Sequence, residues 1–124
     1  MNRRKNRFII ADDDPDLRFC VRRIILKVYP DATVGEAANG EEALEMYDKS
    51  GADLMVIDHM IPLLNGTDLI RRLRERKVSI PLVMVSNLPQ AKDDAMTAGA
   101  TFFLDKNKLN PDLGYFLPAM LPEN

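Results

Sequence analysis

The chain has 124 residues, of which 46% are hydrophobic and 29% are charged. That length suits one domain and leaves no room for a second of usual size, while the composition excludes global disorder. Seventeen Lys and Arg against nineteen Asp and Glu give a net charge of -2, which excludes a bulk field that would draw the domain onto nucleic acid or a membrane. The single cysteine excludes an intramolecular disulfide, and the single histidine excludes a zinc site of the usual Cys/His type.

Four of the first seven residues are basic, and only four apolar residues follow them. They therefore lack the hydrophobic region of a signal peptide, and no apolar stretch approaches the roughly 20 residues that span a bilayer. We expect a basic N-terminal tail at residues 1–7, one domain at residues 8–124, and a cytoplasmic location.

A strand and a helix open the predicted domain. Residues 8–11 are wholly apolar and stop at three aspartates, which is typical of a strand buried on both faces. Asp14 suits the N-cap and Pro15 the first position of a helix. Apolar residues at helical spacing then continue until Tyr29.

The next segments repeat this alternation. A strand is predicted at residues 33–37, and Asn39 opens a helix that ends near Gly51. Residues 54–57 form another buried strand, which runs directly into Asp58.

The second half of the chain continues the pattern. After a loop at residues 62–66, one helix carries leucines and isoleucine on one face and four arginines on the other. The remaining predicted elements are a strand at 82–85, a helix at 89–98, a strand at 101–104 and a helix at 111–121. Gly114 and Pro118 interrupt the last of these helices.

Five strands alternating with helices predict an α/β fold. Right-handed crossovers between parallel strands place helices on both faces of a doubly wound, five-stranded parallel sheet. Ligands bind such sheets outside the carboxyl ends of the strands. The residues that follow each strand are therefore the candidate functional residues.

Polar residues follow four of the five predicted strands. Asp12 and Asp13 follow the first, Asp58 the third, Ser86 the fourth, and Lys106 comes just after the fifth. Three converging carboxylates repel one another unless a cation or the lysine neutralises them. Oxygen ligands of this kind favour Mg²⁺.

Asp58 is the candidate nucleophile toward phosphorus, because it ends the strand expected at the centre of the sheet. Ser86 would donate a hydrogen bond to one phosphoryl oxygen, and Lys106 would pair with another. Taken singly, each residue has a simpler interpretation: an aspartate run before a helix often serves only as a cap, and a polar residue after a strand is ordinarily a solvated loop residue.

These residues resemble the receiver domain of two-component response regulators, the family that includes the chemotaxis regulator. The resemblance covers nearly the whole chain and makes residues 8–124 a receiver domain. It implies the flavodoxin-like strand order 2-1-3-4-5. The segments that carry it are residues 8–14, 58–66, 83–86 and 99–106.

The resemblance also implies the roles of the site residues. Asp58 becomes the phosphoacceptor, and Asp12 and Asp13 form an acidic pocket for Mg²⁺, completed by Asp58 itself and the backbone carbonyl of Met60. Ser86 and Lys106 take the roles of the switch hydroxyl and the phosphate-binding lysine. The fifth-strand aromatic of the switch corresponds to Phe103, for which simple core packing stays an equal alternative.

We therefore expect a stand-alone receiver that accepts a phosphoryl group on Asp58 in a Mg²⁺-dependent step and signals by a conformational switch. It is not expected to be a conventional enzyme, although it assists its own aspartyl phosphorylation and dephosphorylation. The expected partners are a histidine kinase or phosphotransfer protein and a downstream protein target, with no direct nucleic acid binding and no membrane insertion. The expected state is a monomer or a weak, phosphorylation-dependent dimer.

Two departures from the family pattern keep an alternative open. Asn107 follows Lys106 where the family usually has proline, often in a cis peptide that would cost about 2.5–4 kcal/mol without proline. Asn87 stands where the family commonly has a small residue. These differences motivate a pseudo-receiver, an interaction module that phosphate does not switch. A Mg²⁺-dependent phosphatase fits poorly, because such enzymes usually place a second aspartate where this chain has Met60.

Three further expectations concern residues outside the site. Cys20 lies near the apolar stripe of the first helix and is expected to be buried. His59 is expected to point away from Asp58, since side chains alternate along a strand. The arginines of the third helix are expected to form a solvated face.

Overall fold

Five strands and five helices alternate along residues 6–121, the part of the chain that the computed structural model describes. In chain order they are β1 (Arg7–Ala11), α1 (Pro15–Val28), β2 (Thr33–Ala37), α2 (Gly40–Ser50), β3 (Leu54–Asp58), α3 (Gly66–Glu75), β4 (Leu82–Ser86), α4 (Ala91–Ala98), β5 (Phe102–Asp105) and α5 (Leu109–Met120).

The strands form one parallel sheet in the order β2-β1-β3-β4-β5. This confirms the doubly wound fold that the sequence predicted and the strand order that the family resemblance implied. Because all strands run the same way, their carboxyl ends lie along one edge of the sheet. β1 and β3 are central in this order, so their ends lie at the switch point of the topology.

Alternating side chains divide the core into two layers. On one face of the sheet, Met55 and Ile57 pack with residues of α2, α3 and α4. On the other face, Phe8 and Val56 pack with residues of α1 and α5. Helices on both faces explain why these strands are apolar without alternation.

Side-chain caps start the first three helices. Asp14 accepts a hydrogen bond from the amide of Asp16, which confirms it as the N-cap of α1. Asn39 and Asn65 cap α2 and α3 in the same way. These caps fix where each helix leaves the loop that follows the strand.

Several details differ from the sequence prediction. Arg7, which we assigned to the tail, is the first residue of β1, and residues 1–5 lie outside the described part of the chain. Cys20 is exposed rather than buried, because it lies about 100° around the helix from Val21, which faces the core. α5 extends over both interrupting residues, with non-helical backbone only at Asn110.

No helix among the described residues is long and apolar enough to cross a membrane.

Arg74 corrects the expectation of a fully solvated arginine face on α3. Its guanidinium is half-buried and donates hydrogen bonds to the carbonyl oxygens of Gly99, Val78 and Ile80 at 2.8–2.9 Å. A fourth bond reaches the hydroxyl of Thr101 at 3.2 Å. These acceptors belong to the loops before β4 and β5, so Arg74 ties α3 to both strands.

Replacing Arg74 with Met is therefore expected to lower the free energy of unfolding by about 3 kcal/mol, since several carbonyl groups lose a charged donor. Urea denaturation measures this change. Arg71→Met is the control on the same helix: Arg71 is exposed and, within residues 6–121, its one ion pair is with Asp68, so its loss should cost at most about 0.5 kcal/mol. Equal effects of the two substitutions would contradict the structural role of Arg74.

Candidate functional site

The predicted site residues converge at the carboxyl edge of the sheet. Asp12 follows β1, Asp58 ends β3, and carboxylate oxygens of Asp12, Asp13 and Asp58 all lie within 4.8 Å of one another. Asp12 and Asp58 are buried, with 3% and 4% of their surface exposed, whereas Asp13 is exposed. Asp13 therefore forms the open side of the acidic cluster.

Lys106 completes the cluster from the end of β5. Its Nζ lies 2.7 Å from Oδ1 of Asp58 and 3.9 Å from Oδ2 of Asp12. Burial alone lowers the pKa of Lys106, but its hydrogen bond to Asp58 and the charges of the carboxylates raise that pKa above the usual value. The ammonium group therefore stays charged and offsets part of the carboxylate repulsion.

Asp12 shows the cost of burying a carboxylate inside an acidic cluster. Burial raises its pKa to about 6, and the charge of Asp58 adds to the rise, while the hydrogen bond from the Asp14 amide and the charge of Lys106 oppose it. The ionised form of Asp12 is therefore less stable in this site than the ionised form of an aspartate in water. A cation bound between the carboxylates would relieve this penalty.

The loop after β3 holds the second oxygen of Asp58. The backbone amide of Met60 donates to Oδ2 at 3.2 Å, opposite the bond from Lys106 to Oδ1. The loop is closed by a hydrogen bond from the amide of Gly66 to the carbonyl of His59. A Cβ at Gly66 would lie 2.5 Å from the carbonyl oxygen of Asp58, so only glycine fits there without displacing the loop.

Ser86 and Phe103 lie on neighbouring strands. Ser86 is the buried last residue of β4, and its Oγ accepts a hydrogen bond from the amide of Leu88 at 2.9 Å. Phe103 is half-buried on β5, opposite Met84, and packs against the core on the α4 side. The sheet therefore places the predicted switch residues on adjacent strands, with the hydroxyl of Ser86 engaged by its own loop.

The segment after Lys106 departs from the family pattern without a cis bond at that position. Among the described residues, the one cis peptide is Asn110-Pro111, so the Lys106-Asn107 bond is trans. The amide of Asn107 donates to Oδ1 of Asp105 at 2.8 Å and opens a short 3-10 turn. Asn107 therefore closes this loop without disturbing the contact between Lys106 and Asp58.

His59 takes part in the site through its backbone. Its amide donates to the carbonyl of Val85 at 3.0 Å. Its Nδ1 is buried and has no hydrogen-bond partner within residues 6–121. The orientation of the ring relative to Asp58 stays a prediction.

Two contacts of the site were missed at the sequence level. One is the Met60 amide, whose role needs the loop geometry. The other is Arg18, whose guanidinium donates to the carbonyl oxygen of Asp12 at 2.7 Å. An arginine one helical turn after the N-cap Asp14 could have signalled this contact, since its side chain points back toward the start of the helix.

The donor set fits a hard divalent cation. Asp12, Asp13 and Asp58 offer only oxygen atoms at the distances given above, with no cysteine or histidine in the group. Carboxylate oxygens together with water and a phosphate oxygen are the ligands that Mg²⁺ prefers. The carbonyl of Met60 stays a predicted fourth ligand.

Comparison with known proteins identifies the family of the chain. The model of the response regulator receiver domain family matches residues 8–113. The chain is 36% identical over 108 residues to the nitrate/nitrite response regulator protein NarL of Escherichia coli, covering 85% of this chain and 50% of that protein. It is 32% identical over 121 residues to the two-component response regulator ORR41 of rice, Oryza sativa subsp. japonica, covering 94% and 95%. The chain thus spans about half the length of the bacterial relative.

Solved structures share the fold. The receiver domain of the Francisella response regulator 1452 superposes with a TM-score of 0.79 at 25% identity, covering 94% of this chain and 96% of that one. The chemotaxis protein CheY4 of Vibrio cholerae superposes with a TM-score of 0.84 at 24% identity, covering 95% and 100%. With its family model, its relatives and its strand order in agreement, the chain belongs to the response regulator receiver domain family.

Proposed function

We propose that this receiver accepts a phosphoryl group on Asp58 from a histidine kinase or phosphotransfer protein, in a step that requires Mg²⁺. The observation that carries the proposal is the placement of Asp58: a buried carboxylate, paired with Lys106 at 2.7 Å, beside two further carboxylates. Burying several carboxylates together costs free energy unless a cation binds between them, so such clusters are typical of functional sites.

In the proposed reaction, an oxygen of Asp58 forms a bond to phosphorus. The bond from phosphorus to the leaving nitrogen of a phosphohistidine, or to the leaving oxygen of acetyl phosphate, breaks, and its electron pair stays with the leaving group. Lys106 pairs with a phosphoryl oxygen. The metal would be held by Asp12, Asp13, Asp58 and the backbone carbonyl of Met60. Bound Mg²⁺ supplies positive charge that screens the carboxylates from the incoming phosphoryl oxygens.

The proposed signal is a rearrangement around Ser86. Its Oγ accepts a bond from the Leu88 amide in the structure, and a phosphoryl group on Asp58 would compete for the hydroxyl. Turning the hydroxyl inward would release the loop before α4 and open space for Phe103. α4, β5 and α5 then form the proposed output face.

A pseudo-receiver that phosphate does not switch is the second candidate. Asn107 and Asn87 favour it, whereas the intact cluster of Asp12, Asp58 and Lys106 favours phosphorylation. The phosphatase interpretation stays weak, because the residue two positions after Asp58 is an exposed methionine rather than a general acid. Multiple turnover of a generic phosphoester would revive it.

Intact-protein mass spectrometry after incubation with acetyl phosphate and Mg²⁺ tests the proposal. We expect one added phosphoryl group that disappears when EDTA replaces Mg²⁺ and in Asp58→Asn. Asp94→Asn is the matched control, because Asp94 is exposed on α4 and its loss should leave the adduct unchanged. No adduct on the wild-type protein, together with no Mg²⁺ binding, would favour the pseudo-receiver.

The remaining expectations are part of the same proposal. A histidine kinase or phosphotransfer protein would be the upstream partner and a protein the downstream target, with no direct contact to nucleic acid. The protein would act in the cytoplasm as a monomer or as a weak dimer that phosphorylation strengthens.

A further inference from the structure

Arg18 connects α1 to the backbone of the acidic cluster. Its Nη1 donates to the carbonyl oxygen of Asp12 at 2.7 Å, and its Nε donates to Oε1 of Glu36 at 3.0 Å. Its side chain is only 18% exposed. The planar guanidinium is therefore held between a backbone carbonyl and a carboxylate on β2.

The carbonyl that Arg18 binds belongs to the peptide group between Asp12 and Asp13. This planar peptide group joins the two residues directly, so its rotation would turn the carboxylate of Asp13 relative to that of Asp12. The amide of Asp12 is fixed separately by the carbonyl of Ala37 at 3.0 Å. The bond from Arg18 therefore orients the carbonyl side of Asp12. The exposed residue Asp13 follows directly after that carbonyl group.

We infer that Arg18 is a positioning residue for the metal pocket: it holds the Asp12-Asp13 peptide so that both carboxylates face the same cation. This inference rests on the proposed Mg²⁺ site and adds a residue to it. Glu36 contributes by tethering the guanidinium and by neutralising its charge.

Replacing Arg18 removes both a positive charge and a hydrogen bond, and the two losses should change the affinity for Mg²⁺ in opposite directions. A cation removed from the neighbourhood of the pocket should strengthen Mg²⁺ binding, because repulsion between like charges falls. Loss of the bond to the Asp12 carbonyl should weaken binding, because partners behind a metal ligand commonly set its orientation. The sign of the change therefore separates the two effects.

Arg22 provides the matched control. It lies one turn further along α1 and also donates to Glu36, at 3.3 Å, but its other bond is to the carbonyl of Val34. Arg22→Met removes the same charge from the same helix and leaves the Asp12 carbonyl untouched. It should leave the Mg²⁺ dissociation constant unchanged or slightly lower.

The test is a Mg²⁺ titration followed by amide NMR on isotope-labelled wild-type protein, Arg18→Met and Arg22→Met. We expect Arg18→Met to raise the dissociation constant about tenfold. The ratio to wild type should persist at about 0.5 M KCl, where interactions between exposed charges are screened. A constant for Arg18→Met that equals or falls below that of wild type would overturn the inference.

Two further outcomes are distinguishable. If wild-type protein shows no saturable Mg²⁺ shifts, the metal site itself fails and the role of Arg18 fails with it. If the spectra show that Arg18→Met is unfolded, Arg18→Lys decides, because lysine keeps the charge but loses the fork of donors. Binding at least about threefold weaker than wild type would support the inference, and unchanged binding would overturn it.

Discussion

Lys106→Met should slow phosphorylation of Asp58 by acetyl phosphate at least about 100-fold, the effect of removing one charged or hydrogen-bonding group aimed at a transition state. Lys106 is the cation that touches Asp58 in the structure, at 2.7 Å. Without it, one phosphoryl oxygen loses its partner and the acidic cluster becomes more repulsive to an incoming anion. The rate of phosphoprotein formation, followed by mass spectrometry at saturating Mg²⁺, measures the effect.

The same substitution should also change stability in a way that depends on Mg²⁺. In EDTA, buried Asp58 loses its ion pair, and the free energy of unfolding should fall by about 3 kcal/mol. Saturating Mg²⁺ should recover part of this loss, because a ligand that binds only the folded state stabilises it.

Lys108→Met is the control for this substitution. Lys108 lies in the same 3-10 turn but is exposed, so its replacement should change neither the rate nor the stability appreciably. A phosphorylation rate for Lys106→Met within about tenfold of the wild-type rate would contradict the role assigned to Lys106.

The sequence predicted the fold and the cluster of acidic residues because both depend on local patterns. The first four residues of β3 and of β4 are apolar, and the strands end in Asp58 and Ser86. Once the strands are parallel, their ends must share one edge of the sheet. Parallel strands place Asp12, Asp58 and Lys106 on one edge, and the strand order that the family resemblance implied brings them close together.

Arg18, Arg74 and Cys20 show where sequence patterns are insufficient. Arg74 binds a carbonyl 25 residues away, at Gly99, and an arginine on a polar helix face carries no mark of such a partner. The contact of Arg18 similarly depends on which carbonyl group of the loop after β1 faces α1. The prediction of a buried Cys20 is wrong because its neighbour Val21 is the residue that faces the core. Consecutive residues of a helix lie about 100° apart, so one can be buried and the next exposed.

Asp12→Asn is expected to stabilise the protein in EDTA, by about 2–3 kcal/mol near neutral pH. The pKa of Asp12 is raised from its usual 3.8 to about 6 in the folded state. Between these values the folded protein holds a proton that the unfolded chain has released. The stability contributed by this group is therefore complete below about pH 4 and is lost as the pH rises through 6. Asparagine cannot ionise, so the variant escapes this loss.

Urea denaturation from about pH 4 to 7.5 measures the difference between the two proteins. The curves should diverge as the pH rises, with Asp12→Asn the more stable, and Asp94→Asn should follow the wild type. Saturating Mg²⁺ should narrow or reverse the order, since the wild type gains binding energy through a carboxylate that the variant lacks. A wild-type protein as stable as Asp12→Asn at neutral pH in EDTA would show that the cluster carries no penalty for the metal to relieve.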